Sequence, residues 1–240
     1  SRKFKLVDDP KTHKHPAIIH KKVLPRGGGI PIFLSIVAVM TLSLSTDKTF
    51  LPIIVAGAFV IIIGVLDDKF DLSPYLRFVG NIFCASVVVL SGVEIPFLTN
   101  PLGGILDFTN FSYSFLGITI TTGSLLAIVW IVWVMNMLNW SKGVDGQMPG
   151  IAVISAVIIG IASLRFPVIT QNNIYTSQLS FITAGAALGF LFYNFYPAKI
   201  FPGYSATILG FMLGVVSIMS SVKLATAILV MGVPTADALF

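Results

Sequence analysis

Charge is what this 240-residue chain has least of. Asp, Glu, Lys and Arg make up 10% of it, against roughly a quarter in a soluble domain. So few charges cannot cover a water-facing surface of this size, which excludes a soluble globular domain. Cysteine is nearly absent as well. Cys84 is the only one, so no intramolecular disulfide can form and a secreted disulfide scaffold is excluded. The three histidines, His13, His15 and His20, have no cysteine beside them and stand among lysines that repel a divalent ion, which argues against structural zinc. What the chain has in abundance is apolar surface: 55% of its residues are hydrophobic and its mean hydropathy is +0.93. Disorder and collagen-like structure are excluded by the same figures. The chain reads as a polytopic membrane protein. Its formal charge of +5 and pI near 9.4 do not point to nucleic acid, because basic residues in a membrane chain mark cytoplasmic loops.

A spanning helix needs about 20 apolar residues, with roughly 17 tolerated. Cutting the sequence at its charged and Gly/Pro-rich breaks predicts an all-α membrane helix bundle of about eight spans, near 30–46, 49–66, 74–91, 123–139, 148–164, 178–195, 206–219 and 222–239. The chain is read as one membrane-embedded domain over 1–240. It begins without Met and stops at Phe240 inside an apolar run, so it is expected to be part of a longer polypeptide preceded by another span. Residues 1–29 hold eight of the fifteen Lys/Arg and form a polar loop rather than a signal peptide. With that loop cytoplasmic, twelve of the fifteen cations fall on the inner side and Lys48, Arg165 and Lys223 on the outer side, as the positive-inside rule requires. The segment 92–122 then faces outward. Its alternation of Tyr113, Phe115, Ile118 and Ile120 with Ser and Thr predicts a small extracytoplasmic hairpin or re-entrant piece.

The polar residues most costly to keep beside a bilayer gather on the predicted cytoplasmic face. After the second span come Asp67, Asp68 and Asp71. Adjacent acids repel unless a cation or proton offsets them, so the group is either a solvated acidic loop or a Mg²⁺ site, a general base, or both. Asp67 and Asp71 would share a face if the helix continued. A second cluster runs from Asn136 and Asn139, spaced for one helix face, through Lys142 to Asp145, where Gly143 and Gly146 permit backbone approach to a phosphate or sugar. Its alternative is helix packing by the two asparagines. A third stretch, 194–211, includes Pro202-Gly203-Tyr204-Ser205-Ala206-Thr207, a helix-start nest for an anion or an ordinary N-cap. The N-terminal loop offers His20, Lys21 and Arg26 beside Gly27-Gly28-Gly29, suited to a pyrophosphate, a lipid phosphate or an anionic membrane surface.

Taken in order, these stretches resemble the polyprenyl-phosphate N-acetylhexosamine-1-phosphate transferases, glycosyltransferase family 4. The resembling residues are Val7-Asp8-x-Pro10 and His20-Lys21-Lys22-x-x-Pro25-Arg26-x-Gly28-Gly29, Asp67-Asp68-x-x-Asp71 followed by Arg77 and Asn81, Asn136-x-x-Asn139-x-x-x-Gly143-x-Asp145-Gly146, and Asn194-Phe-x-Pro197-Ala-Lys199-x-Phe201-x-Gly203. Val93-Glu-Ile-Pro96 and Asn100-Pro-Leu-Gly103-Gly104 resemble the family's outer segment, and Gly232-Val-Pro234-x-x-Asp237 the start of its late motif. The resemblance implies transfer of N-acetylhexosamine-1-phosphate from a UDP-sugar to polyprenyl phosphate with Mg²⁺, at the cytoplasmic face of the cell membrane, for cell-wall or surface-polysaccharide synthesis such as that of peptidoglycan. It implies Asp67 as the base or the group nearest the attacking lipid phosphate, Asp68 and Asp71 beside it, and metal at Asp67, Asp68 and Asp145. It further implies nucleotide and phosphate binding by Asn136, Asn139, Asp145, His20, Lys21 and Arg26, and Lys142, among them in the sequence, is a further candidate.

The sequence departs from the family pattern where Lys142 and Tyr204 each replace an Asp, Gln147 a Leu and Ala206 a Gly. The expectation is that the Lys142 ammonium offsets phosphate charge that a metal would otherwise neutralise, with any Mg²⁺ held by Asp67, Asp68, Asp71 and Asp145. The intact acids favour an active transferase. The replaced ones favour a degenerate member that binds nucleotide or lipid without turnover. A transporter would carry its ionisable groups near the midplane and in internal repeats, neither of which is present.

Overall fold

Apolar runs that must satisfy their own backbone polar groups fold as helices. In the computed structural model, which describes residues 7–8, 24–44, 50–99, 104–108, 112–115, 118–166, 168–219, 231–232 and 235–236, seven helices do so: α1 (Gly29–Ser43), α2 (Phe50–Phe70), α3 (Pro74–Val89), α4 (Thr122–Trp140), α5 (Gln147–Ser163), α6 (Gln171–Asn194) and α7 (Ile208–Met219). They occupy seven of the eight expected positions. The eighth, 222–239, lies almost wholly outside the described residues, as do Lys21 and all three histidines. Three segments, Phe50–Phe70, Thr122–Gly143 and Gln171–Asn194, are long and apolar enough to cross a membrane; α1, α3, α5 and α7 are shorter apolar helices. Outward-facing Leu42, Val129, Ile154 and Phe192 are exposed on the helices, a surface suited to lipid rather than water.

Helix starts follow local chemistry. Ser73 caps α3 by accepting from the Leu76 N–H at 3.3 Å, with Pro74 in the first turn. Thr121 and Ser124 form a capping box for α4.

Two expected boundaries are corrected. Helix α2 continues past 66 to Phe70 and takes Asp67 and Asp68 into its last turn, because its carboxylates are satisfied by partners from other segments. Helix α6 begins at Gln171 instead of 178. Its polar first turn is stabilised by a Thr170–Asn173 capping box, and the buried Asn173 side chain donates to the Ser163 carbonyl at 3.0 Å. Hydropathy is blind to a helix turn held by caps.

Helix α7 is twelve residues long and buried from Ile208 to Ile218. It packs on α4, α6, α5, α2 and α1, and the Trp130 indole N–H of α4 donates to Ser217 Oγ at 2.8 Å. A helix surrounded on all sides needs no amphipathic stripe. Between α3 and α4 lie two antiparallel pairs, Phe97–Thr99 with Ile105–Asp107 and Ser112–Phe115 with Ile118–Thr121. In the second, Tyr113 pairs with Ile120 and Phe115 with Ile118, the residues whose alternation predicted a hairpin. A third short pair joins Val7–Asp8 to Leu24–Pro25.

Candidate active site

Successive helices run in alternating directions, so the C-terminal ends of α2, α4 and α6 and the N-terminal ends of α3 and α7 meet at one end of the bundle. The segment between α6 and α7 is drawn into that end by close backbone contact. A Cβ on Gly64 of α2 would stand 2.3 Å from Ser205 Cα, so only glycine lets the 203–207 turn lie against α2. The Gly29 N–H at the start of α1 donates to Ser205 Oγ at 3.3 Å.

Both α2 carboxylates are buried and each is held by donors from outside the helix. Asp68 accepts from the backbone N–H of Tyr204 at 2.7 Å and of Ser205 at 3.2 Å, one on each oxygen. Hydrogen bonds to a charged group are worth about 1.5–3 kcal/mol each, and these two fix the turn before α7. Asp67 accepts from the Leu72 N–H at 3.1 Å on one oxygen, and on the other pairs with Arg77 Nη1 at 3.5 Å. Asp71 does not join them. Helix α2 stops at Phe70, and Asp71 takes a left-handed φ of 50° on an exposed turn, so the face expected to unite Asp67 with Asp71 does not form.

Tyr204 is the centre of the arrangement. Its hydroxyl accepts from Asn81 Nδ2 at 3.0 Å, and burial pushes that hydroxyl up to about 12, so it keeps its proton at neutral pH. The Arg77 guanidinium lies 5.2 Å from the ring centroid and the Lys142 ammonium 5.8 Å. Each cation–ring contact is worth about 1 kcal/mol. Lys142 Nζ also donates to Asn139 Oδ1 at 3.0 Å and interacts with the charges of Asp67 and Asp68. Half-buried Arg26 places its guanidinium 6.0 Å from the Phe201 ring centroid.

Other expected residues are placed elsewhere. Asn136 donates to the Val132 carbonyl of its own helix at 2.8 Å, the packing alternative, while Asn139 faces Lys142. Asp145 accepts from the Ala198 N–H at 3.0 Å. Beside it Asn194 accepts from the Gly146 N–H and donates to the Ile200 carbonyl, both at 3.0 Å. These bonds tie the α4–α5 turn to the α6–α7 segment. His20 and Lys21 lie outside the described residues. No local pattern in the sequence links Arg77 and Asn81 to Tyr204. The available signal was the expense of an Arg and an Asn within the first turns of an apolar helix.

As a donor set for the implied Mg²⁺, this arrangement fits poorly. The ion takes a near-octahedral shell of oxygens at about 2.0–2.1 Å. All four oxygens of Asp67 and Asp68 already accept N–H groups, Asp145 serves another junction, and a fixed ammonium stands among them. Among the described residues no three of His, Cys, Asp and Glu gather into a metal-binding group.

The glycosyl transferase family 4 model matches residues 50–221. A probable undecaprenyl-phosphate N-acetylglucosaminyl 1-phosphate transferase of Bacillus subtilis is 32% identical over 99% of this chain and 63% of its own length. A decaprenyl-phosphate N-acetylglucosaminephosphotransferase of Mycolicibacterium smegmatis is 30% identical over 83% of the chain and 50% of its own. A phospho-N-acetylmuramoyl-pentapeptide-transferase of Prochlorococcus marinus is 28% identical over 92% and 62%. The chain thus spans between half and two thirds of the length of these relatives. The family model covers all of α2 to α7, the helices that build the Asp67–Asp68 and Lys142–Tyr204 cluster, and the chain belongs to glycosyl transferase family 4.

Proposed function

We propose that the protein transfers an N-acetylhexosamine-1-phosphate from a UDP-sugar to polyprenyl phosphate, giving a polyprenyl-diphospho-sugar and UMP for cell-wall or surface-polysaccharide synthesis. The observation that carries this reading is the convergence of Asp67, Arg77, Asn139, Lys142 and Tyr204 from four segments at one end of an apolar bundle. A lipid phosphate reaches such an end from the bilayer and a nucleotide sugar from water. Both bring negative charge that fixed cations must offset.

In this mechanism an oxygen of the lipid phosphate attacks the sugar-bearing phosphorus, and the bond from that phosphorus to the bridging oxygen breaks. UMP departs with the bridging oxygen. Asp67 stands nearest the attacking phosphate and takes its proton where one is present. Arg77 holds Asp67 in place and meets the transferred phosphoryl oxygens, Lys142 stabilises charge on the leaving side, and Asn139 orients Lys142. Asp68 acts by fixing the 203–205 turn. The site faces the cytoplasm of a plasma-membrane protein with eight spans over this chain, and the 92–122 segment lies outside; the twelve-to-three division of basic residues supports that orientation.

The test is incubation of the purified protein with labelled UDP-N-acetylglucosamine and undecaprenyl phosphate. Lipid-linked label is expected, falling at least about a hundredfold with Asp67→Asn. Nucleotide binding with no lipid product would instead support the degenerate reading, which the full occupation of the Asp67 and Asp68 oxygens favours.

A further inference from the structure

We propose that the Lys142–Tyr204–Arg77 cluster binds the diphosphate of the nucleotide without a divalent ion, its two cations offsetting the charge that a metal would otherwise neutralise. This rests on the nucleotide-sugar reading above and adds how this chain handles the charge.

The cluster is built for the task. A lysine ammonium has three donors, and one is spent on Asn139 Oδ1 at 3.0 Å, which aims the group and leaves two for a ligand. Arg77 makes one long contact to Asp67, at 3.5 Å, and its side chain is 25% exposed, so the guanidinium is accessible at this end of the bundle. Beside both, Tyr204 is 4% exposed and is fixed, its hydroxyl by Asn81 and its backbone N–H by Asp68. The ring attracts both cations. Lys142 itself is half-buried, and next to it Gly143 and Val144 are exposed, which places its ammonium just beneath the surface at this end of the bundle.

A metal at the same place would be opposed twice. It would have to share the Asp68 oxygens with the Tyr204 and Ser205 amides that hold the turn before α7. It would also stand beside a fixed ammonium. Positions 142 and 204 are where the sequence departs from the family pattern: two carboxylates give way to one ammonium and one neutral ring, a gain of three positive charges, more than a single divalent ion supplies.

Equilibrium binding of UDP to the full-length protein in detergent, with excess EDTA or with Mg²⁺, tests this directly, alongside counting of bound Mn²⁺ by electron paramagnetic resonance. UDP affinity is expected to differ by less than about threefold between the two conditions, with no Mn²⁺ bound at the site, and to fall about tenfold or more with Lys142→Met but little with Lys142→Arg. The Lys142→Asp/Tyr204→Asp pair is expected to make UDP binding depend on the ion. Binding that EDTA abolishes and Mg²⁺ restores, or one tightly bound Mn²⁺ per chain whose loss releases UDP, would overturn the inference and leave the transferase reading standing. A folded protein that binds no UDP under either condition would remove both.

Discussion

Gly203 has a φ of +70°, and a Cβ there would lie 2.5 Å from both carboxylate oxygens of Asp68. Gly203→Ala therefore adds left-handed backbone strain of about 1–2 kcal/mol to a collision with a group that cannot retreat from its two amide donors. Lost transfer activity and a lowered thermal midpoint in detergent are expected together. Tyr204→Phe is milder. It keeps the ring between Arg77 and Lys142 but leaves Asn81 Nδ2 unsatisfied, at a cost of about 1–3 kcal/mol, so UDP affinity should hold while thermal stability falls. The two asparagines of α4 separate in the same way. Asn136→Leu is expected to change UDP affinity less than about twofold, whereas Asn139→Leu frees the Lys142 ammonium and weakens it about fivefold to tenfold. Equal effects in a binding titration would contradict the assigned geometry. At this scale the acids were legible because two adjacent carboxylates beside a membrane demand compensation. The compensating partners were not, since Tyr204 and Asn81 are 123 residues apart and no local pattern joins them.

Among the elements, the helices that expose an apolar surface to lipid were readable from hydropathy, and the hairpin from alternation. Helix α6 was cut short because its first turn is polar and depends on the Thr170 and Asn173 caps. Helix α7 is only twelve residues long, and its wholly buried place inside the bundle has no signature in its own composition. The junction between α6 and α7 rests on Asn194, which bonds to both Gly146 and Ile200. Asn194→Ala should release the 195–202 segment, raising its hydrogen exchange and lowering transfer activity, while α5 and the upper turns of α6 stay protected. Exchange rising uniformly over the bundle would show a global loss of stability and no specific junction.

For the whole molecule, the low overall charge and its uneven placement have a common physical origin. A bundle that meets lipid over most of its surface can hold ions only where they are paired or face water, and the ends of α2, α4 and α6 are that place. The proposed orientation can be tested at that end. A cysteine introduced at exposed Val144 on a Cys84→Ser background should react with an impermeant maleimide only when the cytoplasmic face is accessible, as in inverted vesicles. Labelling from intact cells would reverse the topology. The central claim, transfer of a sugar together with its phosphate, is tested most directly by identifying the nucleotide released when the full-length protein is given UDP-N-acetylglucosamine and polyprenyl phosphate. UMP in equal amount to the lipid-linked sugar is the expected result; release of UDP, or of UMP without the lipid acceptor, would contradict it.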